Sequence, residues 1–171
     1  KTYFPLENYD TAIRYADIIL ENSKTDSYIR SDAYIIIARA AMKTGDEAKA
    51  QSAYAQVKSI ASGEMGAEAQ YFEAYFKYTD SAHEASNESI QLLIKNFSSY
   101  KFFASKGLIL MAKNFQALGD VFQATYILEN VIRNFEEFEA VVQEAKIELE
   151  QIKTQAAKTN SSIEIDTENE N

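Results

Sequence analysis

The sequence predicts an all-α fold, a right-handed superhelix of antiparallel helix pairs stacked side by side. Gly-Asp pairs at 45–46 and 119–120 lie 74 residues apart, at the same place in a helix-turn-helix pattern. That spacing is two periods of roughly 37 residues, a length typical of helical repeat proteins. Five glycines and one proline in 171 residues also argue against a turn-rich β fold.

Alanine-sized residues recur where two helices must approach closely. In the first helix of each pair they are Ala38, Ala74 and Ala112, and in the second helix they are Ala12, Ala50, Ser86 and Ala124. The residues four and seven positions after each second-helix residue share its face, so we expect them in the core. They are Ala16, Ile19, Tyr54, Val57, Ile90, Leu93, Leu128 and Val131.

The pattern predicts helices near 8–22, 28–43, 47–61, 67–79, 84–96, 101–117, 121–134 and 138–157. Gly45 and Gly119 suit the left-handed residue after a helix, and the aspartates that follow them suit N-caps. In the middle unit, Thr79-Asp80-Ser81 is expected to supply the cap oxygens.

One repeat domain is therefore predicted at 1–158, followed by an acidic tail at 159–171 that is expected to be disordered. Within the domain we expect a partial unit at 1–26, units near 27–62, 67–100 and 101–136, and a capping helix at 138–158.

Several classes of function are disfavoured by composition. A net charge of −9 does not favour nucleic acid, which needs a basic surface. No apolar run approaches the length of a membrane span. One histidine and no cysteine leave little for a metal site, and no nucleophile or phosphate-loop motif occurs. We therefore expect no enzyme, cofactor or metal, and His83 is expected to be an exposed residue at a helix start.

These residues resemble the tetratricopeptide repeat (TPR) family over roughly residues 1–158. The third unit carries the family's small, aromatic, Gly-Asp, small and large apolar positions as Ala112, Phe115, Gly119-Asp120, Ala124 and Leu128. The closing proline is missing, with Ser62 and Glu136 in its place. The resemblance implies a non-catalytic scaffold that binds a protein or peptide partner.

The closing Asn-Phe pairs at 96–97 and 134–135 are similar to those of bacterial envelope TPR proteins. These include outer-membrane-assembly lipoproteins and the periplasmic partner of the Tol–Pal system. The composition resembles the C-terminal region of large TPR proteins of Bacteroidetes. This resemblance implies a periplasmic or outer-membrane-associated location, with a cytoplasmic location as the alternative.

Projected onto the family's register, eight residues fall on the groove of the superhelix: Arg39, Met42, Tyr71, Tyr75, Tyr78, Lys106, Ile109 and Lys113. The tyrosines would supply contact area and the basic residues would suit a peptide with acidic groups. Alternatively, the tyrosine rings only pack between units.

A second hypothesis is structural. The first helix is predicted to lack its pair, which would leave an apolar face around Ile13, Ala16 and Leu20 uncovered. The chain would then be the C-terminal capping segment of a longer solenoid whose functional site lies further towards the N-terminus.

Overall fold

The computed structural model describes residues 8–168, and the side chains of residues 8–155. In that range the chain forms eight α-helices and no strand. They are α1 (Tyr9–Glu21), α2 (Ser27–Thr44), α3 (Glu47–Ile60), α4 (Gly63–Thr79), α5 (His83–Phe97), α6 (Lys101–Ala117), α7 (Val121–Asn134) and α8 (Glu139–Glu168). Consecutive helices pack as pairs, α2 with α3, α4 with α5 and α6 with α7, so the predicted all-α stack of helix pairs is confirmed.

Most helix ends lie within one residue of the predicted ones, and two helices are longer. Helix α4 starts at Gly63 instead of residue 67. Gly66 lies in this extra turn, where a β-carbon would stand 3.0 Å from the Phe97 ring, so its missing side chain allows close packing. Helix α8 continues to Glu168, because no glycine or proline interrupts it, so residues 159–168 are helical where the sequence predicted a disordered tail. Residues 1–7 and 169–171 lie outside the described residues.

The two Gly-Asp turns have the predicted geometry. Gly45 and Gly119 have φ values of +77° and +85°, and the side chains of Asp46 and Asp120 cap α3 and α7. The middle turn differs. Ser81 takes the left-handed conformation, and α5 begins without a side-chain cap, so the prediction that residues 79–81 supply cap oxygens was wrong.

The alanine-sized residues at the helix crossings are fully buried. Ala38, Ala74 and Ala112 on the first helices are 0 % exposed, as are their counterparts Ala50, Ser86 and Ala124 on the second helices. Ala12 departs from this and is partly exposed. The buried residues form three adjoining clusters, over α1–α4, α4–α6 and α6–α8.

Helix α8 differs from the other first helices at its crossing position. Ala145 lies 38 residues after Gly107, and at the same offset from Ala112 stands Glu150, which is exposed. A charged side chain therefore occupies the place where α2, α4 and α6 carry a buried alanine.

Candidate functional site

The first helices of the successive pairs lie side by side and form one face of the stack, which we call the first-helix surface (α2, α4, α6 and α8). Side chains join each neighbouring pair. Arg39 of α2 bonds Glu68 of α4, the Tyr71 ring of α4 lies 6.3 Å from the Phe103 ring of α6, and Lys106 of α6 bonds Glu144 of α8. The predicted groove residues are all on these helices.

At the α2–α4 end of this surface a carboxylate is buried in a hydrogen-bond network. Arg39 donates from Nε to Glu68 Oε1 at 2.8 Å and from Nη2 to Oε2 at 2.5 Å, and the Tyr54 hydroxyl of α3 donates to Oε1 at 2.9 Å. Glu68 is 4 % exposed. The hydrogen bond to Glu68 raises the pKa of Arg39, and burial raises the pKa of Tyr54, so both groups remain donors at neutral pH.

A cavity of about 250 Å³ opens beside this network. Its walls combine aromatic and apolar side chains with the ion pair and a second cation: Tyr9, Arg39, Met42, Lys43, Tyr54, Glu68 and Phe72. Mostly apolar walls with a few fixed polar groups are the usual make-up of a binding pocket. The predicted groove residues Arg39 and Met42 therefore line a cavity together.

The three tyrosines of α4 belong in part to the core. Tyr71, Tyr75 and Tyr78 are half-buried and pack against the cluster of Ala74, Ile90, Leu110 and Met111. Burial, followed by the nearby charge of Glu144, raises the pKa of the Tyr71 hydroxyl. The rings thus pack between units, as the alternative interpretation held, and each also keeps part of its surface exposed.

The basic residues of the predicted groove are paired within the chain. Lys106 donates to Glu144 at 2.5 Å, and Lys113 lies 2.7 Å from Glu148 and 4.0 Å from Glu144. With Arg39 held by Glu68, all three predicted cations already have carboxylate partners. This arrangement does not favour the predicted selectivity for acidic peptides, because an acidic partner would have to displace these internal carboxylates.

Ile109 was assigned to the groove wrongly. It is 1 % exposed and packs with Ala112, Val141 and Ala145 between α6 and α8. Helix α8 covers this position, which the register projection treated as open to a partner.

His83 is not the exposed helix-start residue that the sequence suggested. It is half-buried, its Nδ1 lies 3.0 Å from Asn114 Oδ1, and its ring lies 5.7 Å from that of Tyr78. Asn114, 0 % exposed, donates to Ser86 Oγ and Asn87 Oδ1 at 2.9 Å. His83 therefore belongs to a polar network that joins α5 to α6.

Three residues that line the site, Glu68, Phe72 and Tyr9, were not predicted from the sequence. One signal for Glu68 was available: it is a lone carboxylate within the small-residue run Gly66-Ala67-Glu68-Ala69, which predicts a buried position. No comparable signal marks Tyr9, which reaches the cavity only through the packing of α1 on α2.

Helix α1 has an uncovered face, although not the predicted one. Ala16 is 1 % exposed, and Ile13 and Leu20 pack against the core, because α2 covers them. The open residues are Tyr15, Ile18 and Ile19, at 58 %, 55 % and 38 % exposed. The repeat equivalents of Ile19, which are Val57, Leu93 and Val131, are each 0 % exposed. The expectation that Ile19 is a core residue was wrong.

Among the described residues, no helix is both long enough and apolar enough to cross a membrane. The same part of the chain contains no group of three or more histidine, cysteine, aspartate or glutamate side chains placed to hold a metal ion. Its buried side-chain nitrogen and oxygen atoms all have hydrogen-bond partners.

Comparison with known proteins shows the fold. No family model and no curated protein sequence match this chain. Its structure is similar to the crystal structure of MamA, with a TM-score of 0.59, over 90 % of this chain and 91 % of that chain, at 14 % sequence identity. The fold is thus a TPR-like stack of helix pairs.

Proposed function

We propose that this chain is a non-catalytic scaffold that holds a partner protein on its first-helix surface, with the cavity beside Arg39 and Glu68 as the anchoring point. Support comes from the TPR-like fold, which suggests protein partners. The observation that carries the proposal is the cavity itself. It is open, about 250 Å³ in volume and lined by Met42 and Phe72 next to a fixed ion pair.

The residues that line the cavity indicate which kind of side chain a partner would insert. A cavity of this size accommodates one large side chain, and its aromatic walls favour an apolar one. The Arg39 side chain is 42 % exposed, and its Nη1 takes part in neither bond to Glu68, so we propose Nη1 as a donor to a partner carbonyl. We therefore propose a peptide segment with one apolar anchor residue whose backbone accepts from Arg39.

A photo-crosslinking side chain at Met42 tests this in the native host. The matched control carries the same group at Ser52, which is exposed on α3 and outside the first-helix surface. A discrete protein adduct from position 42 that position 52 does not give supports the proposal. Identical adduct patterns, or none from position 42, would contradict it.

A second candidate function rests on α1. Ile19 is 38 % exposed where Val57, Leu93 and Val131 are 0 % exposed, so no helix among residues 8–168 covers this position as α2, α4 and α6 cover its equivalents. We propose as the alternative that this chain caps a longer solenoid, in which an additional helix lies over Tyr15 and Ile19. Amide exchange at α1 that slows at least roughly tenfold in a longer parent protein favours this alternative, and unchanged exchange argues against it.

We further propose a periplasmic or outer-membrane-associated location, with the cytoplasm as the alternative. The support is the resemblance of the closing Asn-Phe pairs to those of bacterial envelope TPR proteins. Fractionation of native cells, with markers for periplasm, membranes and cytoplasm, decides between these locations.

A further inference from the structure

A group of exposed apolar side chains lies at the turn between α6 and α7, away from the first-helix surface. We call it the third-unit patch (Leu118, Val121, Phe122 and Tyr126). These side chains are 42 %, 41 %, 75 % and 54 % exposed. Phe122 and Tyr126 are one turn apart on the same face of α7, and Leu118 and Val121 flank the turn that precedes this helix.

The repeat shows that the fold does not need apolar residues here. The equivalent positions of the first unit are Thr44, Glu47, Ala48 and Ser52, and those of the second unit are Asp80, His83, Glu84 and Glu88. Apart from half-buried His83, these equivalents are exposed too. The same backbone positions therefore carry polar side chains or alanine in two units, and large apolar side chains only in the third. A group of exposed large apolar side chains at positions where the fold does not require them is a feature of interaction sites.

The charges around the patch indicate its partner. Asp120 stands within it, and the second unit presents Asp80, Glu84 and Glu88 at the positions equivalent to Leu118, Phe122 and Tyr126. The exposed cations on these two helices, Lys95 and Arg133, lie at the opposite ends of α5 and α7. The patch thus contains one carboxylate, and the preceding unit presents three more at the equivalent positions, in a chain with a net charge of −9. Lys153 of α8 lies 3.9 Å from Glu129, one turn along α7 from Tyr126, and is paired with it.

We propose that the third-unit patch binds a cationic amphipathic helix of a partner protein. The apolar face of that helix covers Phe122 and Tyr126, and its lysine or arginine residues face Asp120, Glu84 and Glu88. Anionic membranes are disfavoured by the same carboxylates. This surface is separate from the cavity on the first-helix surface, so a partner can be held on each.

Two synthetic peptides of about 18 residues provide the test, one of leucine and lysine and one of leucine and glutamate in the same helical pattern. Binding to the whole chain is measured by fluorescence anisotropy at about 0.15 M salt, where surface charges are screened beyond ~8 Å. We expect saturable binding of the lysine peptide only. The double variant Phe122→Ala, Tyr126→Ser copies Ala48 and Ser52 of the first unit without changing charge, and it should weaken binding roughly tenfold or more.

A matched variant, Glu84→Gln with Glu88→Gln, should weaken binding several-fold, with a smaller dependence on salt. Circular dichroism should show unchanged helicity and Tm for both double variants, since the replaced side chains are exposed.

Four results would overturn the proposal. They are absence of saturable binding, equal binding of the glutamate peptide, wild-type affinity in the Phe122→Ala, Tyr126→Ser variant, and binding to anionic phosphatidylserine vesicles that this variant abolishes. Self-association in sedimentation velocity that the same variant abolishes would assign the patch to a second copy of the chain, and it would also overturn the proposal.

Discussion

Arg39 and Glu68, 29 residues apart in sequence, form a two-point ion pair that joins the first unit to the second. Both carboxylate oxygens of Glu68 are engaged by the guanidinium, and the Tyr54 hydroxyl adds a third hydrogen bond. Because Glu68 is 4 % exposed, its charge depends on these donors for solvation. The ion pair and the Tyr54 hydrogen bond therefore join α2, α3 and α4 around the cavity proposed as the anchoring point.

Replacing Arg39 with alanine should destabilise the chain by about 3 kcal/mol, because a buried carboxylate then loses its counter-charge. Urea denaturation measures the change. Arg39→Lys should recover only part of the loss, since an ammonium group cannot make the two parallel bonds. A cost below about 0.5 kcal/mol for the alanine variant would show that water solvates Glu68 and that the network contributes little.

Glu73 should make stability depend on pH. Burial acts to raise its pKa, but the hydrogen bond and charge of Lys58, together with Lys77, outweigh burial, and the pKa lies below its ordinary value. A lowered pKa stabilises the fold at pH values above the ordinary pKa, and this contribution is lost as pH falls through the folded-state pKa. Lys58→Met should therefore cost about 0.5 kcal/mol at pH 7, since these side chains are partly exposed, and progressively less as pH falls through the folded-state pKa of Glu73.

Lys49→Met is the matched control for this pH series. It removes the same charge from an exposed position on α3, so it corrects for the general effect of lowering the lysine count. A Lys58→Met cost that stays constant between acid and neutral pH would rule out Glu73 as the titrating group.

Asn114 should be the most sensitive polar residue at the joint between the second and third units. Alanine in its place leaves Ser86, Asn87 and His83 each without one partner, and we expect a loss of about 3 kcal/mol in thermal or urea unfolding. Asn96→Ala, at an exposed position on α5, should change stability by less than about 0.5 kcal/mol. Similar values for the two variants would mean that water replaces the lost bonds.

Substitutions of Tyr71 test whether its ring packs in the core or serves only to bind a partner. Tyr71→Ala should cost about 2–3 kcal/mol, because the ring packs against the buried cluster that contains Ala74 and Ile90 and lies 6.3 Å from the Phe103 ring. Tyr71→Phe keeps that packing and should leave stability within about 0.5 kcal/mol. A Tyr71→Ala variant as stable as the wild type would show that the ring lies outside the core, and Tyr71 would then remain a candidate partner contact.

Val57 and Ile19 occupy equivalent positions of the repeat, but a serine substitution should lower stability more at Val57 than at Ile19. Val57→Ser should cost about 2 kcal/mol or more, since Val57 is 0 % exposed, whereas Ile19→Ser should cost about 1 kcal/mol or less, since Ile19 is 38 % exposed. Unfolding of the two variants by urea measures the difference. A large cost at Ile19 would indicate that another part of the chain covers α1.

The sequence predicted the helix pairs well because they depend on local signals. Small residues at the crossings, apolar residues four and seven positions later, and the turns at Gly45 and Gly119 each act within one unit. The middle turn was less predictable, since Ser81 adopts a conformation that normally marks glycine or asparagine.

The site was harder to predict because its contacts join residues far apart in sequence. Nothing local indicates that Lys106 meets Glu144, 38 residues later, or that α8 buries Ile109. A register projection gives the direction of a side chain from its helix, but its exposure depends on what the neighbouring helices carry. The sequence therefore predicted the basic residues of the groove, but not the carboxylates of the same chain that pair with them.

Glu150 makes the two ends of the helix stack differ in the surface that they offer to a further helix. A helix added after α8 would have to bury this carboxylate at the point of closest approach, whereas a helix added before α1 would meet Tyr15 and Ile19. A helix added before α1 would therefore meet an apolar surface, whereas a helix added after α8 would need a partner for this carboxylate. A design that adds a helix after α8 should therefore first replace Glu150 with alanine.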